Sequence, residues 1–186
     1  MTASGATAFS PKASAAMPLA PGLVPGRDCG TCTMCCKTFA IPELGKAAGE
    51  WCRHVVQARG CGIHATRPQV CRSFFCHWMR NGRLGPEWRP DRARFILYTE
   101  MEGRRLVVAP DAGTPTSWRR EPYYAQMKRW AALGAASNNQ LLVFNGSRAT
   151  AVLPDRDQDL GIVEVGDRVI YRVAQGRIEV DHQRQG

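Results

Sequence analysis

The sequence predicts an α+β protein, with a small, partly helical, cysteine-rich N-terminal half packed on an antiparallel strand-rich C-terminal half. Three observations lead there. All eight cysteines lie between Cys29 and Cys76. The segment that holds them is cut short repeatedly by glycine and proline. Beyond residue 90 cysteine disappears, and β-branched and aromatic runs separated by glycine turns take over.

Residues 1–27 are rich in Ala, Pro, Ser and Gly and lack any helical or strand period, which reads as a flexible tail. Residues 28–90 form the cysteine-cluster region, punctuated by Gly30, Gly45, Gly60, Gly62, Pro68, Gly82, Gly85 and Pro86. Helical stretches are expected near 42–58 and 67–80, with Pro42 and Pro68 suited to a first helical position, where a missing amide hydrogen costs nothing. Residues 91–186 form the strand-rich region of the same domain. Strands are predicted at 94–99, 105–109, 141–145, 149–153, 168–174 and 177–180, with turns at Glu102-Gly103, Asn145-Gly146 and Gln175-Gly176. A helix is predicted over 122–133, where Tyr123, Met127 and Trp130 recur on one face. That stripe reads as core packing. There is no internal repeat.

The chain has 186 residues, enough for one domain or a small domain with an appendage. No apolar run approaches the ~18 residues of a membrane-spanning helix. Lys12 and the prolines at 11, 18, 21 and 25 argue against a signal peptide at the N-terminus. The expected location is therefore the cytoplasm, with no membrane partner. In a reducing compartment, closely spaced cysteines hold metal or do redox chemistry more often than they form disulfides.

The cysteines fall into two sets, Cys29-x-x-Cys32-x-x-Cys35-Cys36 and the more dispersed Cys52, Cys61, Cys71 and Cys76. Thiolate is a soft ligand suited to zinc, copper(I) and iron–sulfur clusters. A Cys-x-x-Cys turn aims two sulfurs at one ion, so all eight cysteines are candidate metal ligands. Two closed four-cysteine zinc sites use all of them. One iron–sulfur cluster leaves four for a second site. Cys35 and Cys36, being adjacent, are expected to point to different sides. Sulfurs sharing one zinc stand roughly 3.7–4 Å apart. Because the segments between them are too short to bury a core, metal is expected to help hold this half together, which makes it cysteine-ligated.

His54, His64 and His77 lie among the cysteines as further candidate ligands, whereas His182 sits in a polar stretch and reads as solvated. Trp51, Phe74, Phe75 and Trp78 are expected to wall the metal region from water. The net charge of +9 permits nucleic acid as a partner without favouring it. From Arg27 to Arg89 there are ten basic against four acidic residues, so the excess can neutralise thiolates instead. A thioredoxin-type site is disfavoured, since no strand precedes Cys29. No phosphate loop, dinucleotide fingerprint or Ser/His/Asp set is present.

The ordered motifs Cys29-Gly-Thr-Cys32-Thr-Met-Cys35-Cys36, Trp51-Cys52-Arg-His54, Gly60-Cys61-Gly-Ile63-His64, Arg67-Pro-Gln-Val-Cys71-Arg72-Ser-Phe74 and Cys76-His-Trp78 resemble the CxxCxxCC cysteine-cluster (YkgJ-like) family. Thr33 stands where that family often has glycine and His64 where it often has an aromatic residue; neither change removes a thiolate. The resemblance implies a bacterial, cytoplasmic protein that chelates zinc or iron. A similar motif in flagellin lysine N-methylases implies, as an alternative, an iron–sulfur-dependent enzyme of group transfer. A nucleic-acid-binding zinc module is the second alternative. Arg67 and Arg72 are expected close to the thiolates.

Overall fold

The computed structural model describes residues 22–135 and 137–185. Most of the tail assigned to residues 1–27 lies outside that range. Its last six residues are described, and they are tied down. Val24 donates its amide to the Met79 carbonyl at 2.8 Å. The Arg27 guanidinium donates to the carbonyls of Trp78, Asn81 and Leu84 at 2.6, 2.9 and 2.6 Å.

The cysteine half is built of short pieces. They are α1 (Met34–Thr38), the hairpin β1 (Val55–Val56) with β2 (Gly60–Cys61), α2 (Gln69–Ser73), α3 (His77–Arg80) and α4 (Pro90–Ala93), with 3-10 turns between. The helix expected over 42–58 is reduced to a single 3-10 turn at Pro42–Leu44. Gly45 and Gly49 end it, at φ +59° and +81°, a region that an α-helix does not visit. Pro42 takes the first helical position, but Pro68 sits one place earlier, as the cap of α2. The second expected helix is broken into α2 and α3 by extended residues at Phe74 and Cys76.

The C-terminal half carries a five-stranded sheet, with β3 (Phe95–Glu100), β4 (Arg105–Pro110), β5 (Gln140–Asn145), β6 (Arg148–Val152) and β7 (Asp157–Ile162) adjacent in that order. The expectation of an antiparallel sheet needs one correction. β4 and β5 run parallel, because α5 (Tyr123–Ala135) carries the chain back across the sheet between them. The other three pairings are antiparallel. A separate hairpin, β8 (Arg168–Ala174) with β9 (Arg177–Gln183), follows. The molecule is thus α+β with a mixed sheet.

Both faces of this sheet are covered, which explains why its strands read as near-continuous apolar runs. On one face Phe95, Leu97, Val108, Leu141, Val143 and Val152 pack against Tyr123 and Met127 of α5 and against Trp88 and Trp118. The opposite face is shared. Ile96 and Ala109 receive Met34, Cys76 and Met79 from the cysteine half. Leu142, Ala151 and Leu153 receive Val169, Tyr171 and Ile178 from the hairpin. His182 is corrected here: its ring is nearly buried and hydrogen-bonds Asp167 at 2.8 Å and the Leu160 carbonyl at 3.2 Å, fastening the hairpin's last strand.

Candidate metal centre

Chain geometry brings the two cysteine sets together. The Cys29–Cys32 turn closes with the Cys32 amide donating to the Cys29 carbonyl at 2.7 Å, and α1 places Cys35 and Cys36 in its first turn. The Cys52 amide donates to the Cys36 carbonyl at 3.0 Å, which docks the second set on the first. Cys61 sits on β2, opposite Val55, and the preceding Gly60 presses on the Cys29–Cys32 turn. A Cβ on Gly60 would fall 2.1 Å from the Gly30 carbonyl oxygen, and Gly60 has φ +97°, so only glycine allows this approach. Cys71 lies on α2 and Cys76 caps α3.

All eight cysteines line two adjoining cavities beneath this array. The larger, about 190 Å³, is bordered by Cys29, Cys32, Cys35, Cys36, Cys52, Cys61 and Cys71. The smaller is bordered by Cys29, Cys32, Cys35 and Cys76, with Asp28. Every cysteine is a free thiol. Among the described residues no three Cys, His, Asp or Glu side chains stand in an arrangement that could hold one ion as they are. The thiols therefore face common space without the close spacing of a tetrahedral zinc site.

Charge links the thiols across both cavities. Burial pushes the Cys29 thiol up, and Cys76 and Cys36 push it further, while the Arg67 guanidinium opposes them. Burial raises Cys32 and Cys76 too, partly offset by amides directed at their sulfurs, from Met34 to Cys32 and from Met79 and Trp78 to Cys76. Burial raises Cys71, and its charge neighbours are Cys36, Cys61 and Cys52. By lining, Cys29, Cys32 and Cys35 border both cavities, Cys76 the smaller alone, and Cys36, Cys52, Cys61 and Cys71 the larger alone. Cys35 thus borders both cavities and Cys36 only the larger, and the interaction between their thiols raises Cys35 and lowers Cys36 to about 7.

The chain matches no family model, no curated protein and no solved structure. The site is thus read from its own residues.

Of the three candidate histidines only His64 borders the larger cavity, with burial and Arg67 lowering its pKa. His77 turns away to Asn81, at 3.1 Å, and the part of His54 engaged nearby is its backbone carbonyl. Arg67 borders the cavity, whereas Arg72 does not and instead donates to the Arg67 and Ala65 carbonyls. Phe74 walls both cavities and Trp78 one. Trp51 is 56% exposed and walls neither.

Sequence reasoning missed Lys46, Arg89 and Asp91. Lys46 is only 8% exposed and donates to the Lys37 and Phe39 carbonyls, with Cys52, Cys36 and Cys35 as its charge neighbours. Arg89 donates to the Cys29 carbonyl at 3.2 Å and to Thr31 at 3.1 Å. Asp91 adds negative charge near Cys32, and its Oδ1 is ion-paired with Arg89 Nε at 3.4 Å. A lone lysine after a glycine turn looks solvated in sequence, so nothing marked Lys46. Basic side chains here work mainly as internal donors to backbone carbonyls, which uses part of the chain's positive charge within the fold.

Proposed function

We propose that this protein binds metal through its eight cysteines, as two four-thiolate sets, and that it is a divergent relative of the CxxCxxCC cysteine-cluster family acting in a reducing, cytoplasmic compartment. One set is Cys29, Cys32, Cys35 and Cys76, and the other is Cys36, Cys52, Cys61 and Cys71. The observation that carries this reading is that eight free thiols, spread over 47 positions of sequence, border two adjoining cavities. Crowded thiols resist ionisation because each thiolate repels the next, and a bound cation relieves that repulsion. The donor set suits zinc or an iron–sulfur cluster, and poorly suits magnesium or calcium. Lys46, Arg67 and Arg89 supply the balancing positive charge. Zinc in such closed sites is structural, whereas a cluster adds one-electron chemistry. Binding requires the sulfurs to draw inward from their present spacing, a movement that short segments joined by glycine permit. Among the described residues no helix is long and apolar enough to cross a membrane.

Anaerobic purification, followed by metal and acid-labile sulfide analysis and a visible spectrum, tests the reading. Colourless protein carrying about two zinc ions identifies closed zinc sites. Brown protein with sulfide identifies a cluster. Protein that takes up neither from metal-replete medium, or that yields cystine pairs on anaerobic mapping, overturns it.

A further inference from the structure

A second and larger cavity lies outside the cysteine array. It is a cleft of about 680 Å³. Its back wall stands at the carboxyl ends of β4 and β5, the one parallel pair in the sheet. There β4 runs out through Ala109 and Pro110 to Asp111, and β5 through Phe144 and Asn145 to Gly146. Small-molecule sites are concave clefts of this kind, and loops carried on a rigid sheet commonly form them. The front wall is residues 37–40 and 48–49 of the cysteine half. The volume falls in the range of small-molecule sites, about 300–1,000 Å³.

The lining has two characters. Phe39, Tyr98 and Phe144 give it apolar aromatic walls. At the Asp111 end stands a cation. Lys37 Nζ donates to Asp111 Oδ1 at 2.6 Å and lies 5.5 Å from the Trp51 ring. Asp111 is 2% exposed and fully used: the Gly113 amide also donates to Oδ1, and Arg94 donates to Oδ2. Two cations thus share one carboxylate, leaving a surplus positive charge. An ammonium has three donors, and Asp111 takes one from Lys37. The acid on the other wall, Glu100, has its own cation, Arg105, at 3.5 Å, so it leaves the Lys37 charge in place.

We propose that this cleft binds a small organic anion with an apolar body, its charged group on Lys37 and its body against Phe39, Tyr98 and Phe144. Asp111 is the positioning residue that holds the ammonium at the cleft end. The proposed site uses no cysteine side chain.

Two probes of nearly equal shape test it on the full-length protein. 8-Anilinonaphthalene-1-sulfonate is an amphipathic anion, and N-phenyl-1-naphthylamine is its uncharged counterpart. The anion is expected to bind saturably, one per chain, about tenfold or more tighter than the neutral probe, as one charge-assisted contact implies. Lys37→Met is expected to abolish that preference and leave the neutral probe's affinity unchanged. Ala112→Trp, on the exposed rim, is expected to weaken both probes while near-ultraviolet circular dichroism stays native. Because the Ala112 side chain is exposed and takes no part in the Lys37–Asp111 ion pair, this variant tests the location of the site even if Lys37→Met does not fold. The proposal is overturned by equal affinity of the two probes, by absence of saturable binding, or by binding indifferent to Ala112→Trp, which places the probe elsewhere, for instance in the cysteine cavity.

Discussion

Replacing Gly60 with alanine, the addition of a single methyl group at a buried position, is expected to damage the cysteine array. Two costs combine. The residue has φ +97°, where an L side chain carries a penalty of about 1–2 kcal/mol. The new methyl would also stand 2.1 Å from the Gly30 oxygen and 3.3 Å from its carbon, both backbone atoms that cannot rotate away. The hairpin must then retreat from the Cys29–Cys32 turn, an overpacking cost of roughly 1–3 kcal/mol. Gly45→Ala is the matched control in the same half, with φ +59° and no atom within 4 Å of the added methyl. It carries the backbone penalty alone. With a urea slope of about 2 kcal/mol/M, the excess for Gly60→Ala is a midpoint shift of roughly 0.5–1.5 M beyond that of Gly45→Ala. Tryptophan fluorescence in urea reads the midpoint, and the rate of thiol reaction with a disulfide reagent reads the array, with Cys61 expected to react faster. Equal midpoints for the two variants would refute the close-approach argument.

Three further outcomes are expected. Complete chelation should loosen residues 28–90 far more than 91–186, seen as amide exchange confined to the cysteine half; uniform exchange, or none, contradicts metal as its organiser. Asp111→Ala should cost about 2–3 kcal/mol in urea unfolding, below the value for a fully buried pair because the Lys37 and Arg94 side chains keep 20% and 44% exposure; a loss under about 0.5 kcal/mol would make it a surface pair. The Glu164 amide and the His182 ring hold Asp167 down at about 2, so its stabilisation is complete above the unfolded value of about 3.9 and is lost as pH falls toward 2. Melting curves of the protein and of Asp167→Asn should therefore differ by a constant amount at neutral pH and converge between those two values.

The sequence foretold most strands within one or two residues, because a strand buried on both faces leaves an unbroken apolar run, as Phe95–Tyr98 and Leu141–Phe144 do. β7 escaped for the converse reason: Asp157–Ile162 is an edge strand with no buried residue, and its acids and glycine read as loop. The parallel pairing of β4 and β5 was hidden in plain view as strand, helix, strand, since local pattern does not record strand direction. α5 matched its stripe because Tyr123 and Met127 bury one face. In the cysteine half, spacing identified the thiols but not the path between them. Gly45 and Gly49 turned an expected helix into loop, and the cations serving the array came from Lys46 and Arg89 as well as Arg67.

Chain order places the cysteines ahead of the surface that covers them. Lys37 meets Asp111 across 74 positions, and Ile96 and Ala109, which close the floor beneath Cys76 and Met34, also come late. At ribosomal rates of about 5–20 residues per second, roughly 4–15 s pass between the emergence of Cys36 and that of Asp111. During that interval the thiols are attached to a chain whose sheet does not yet exist. Whatever first engages them, a cation or an oxidant, meets a pliable nascent segment, and the arrangement it leaves behind is the one on which β3 and β4 must then close.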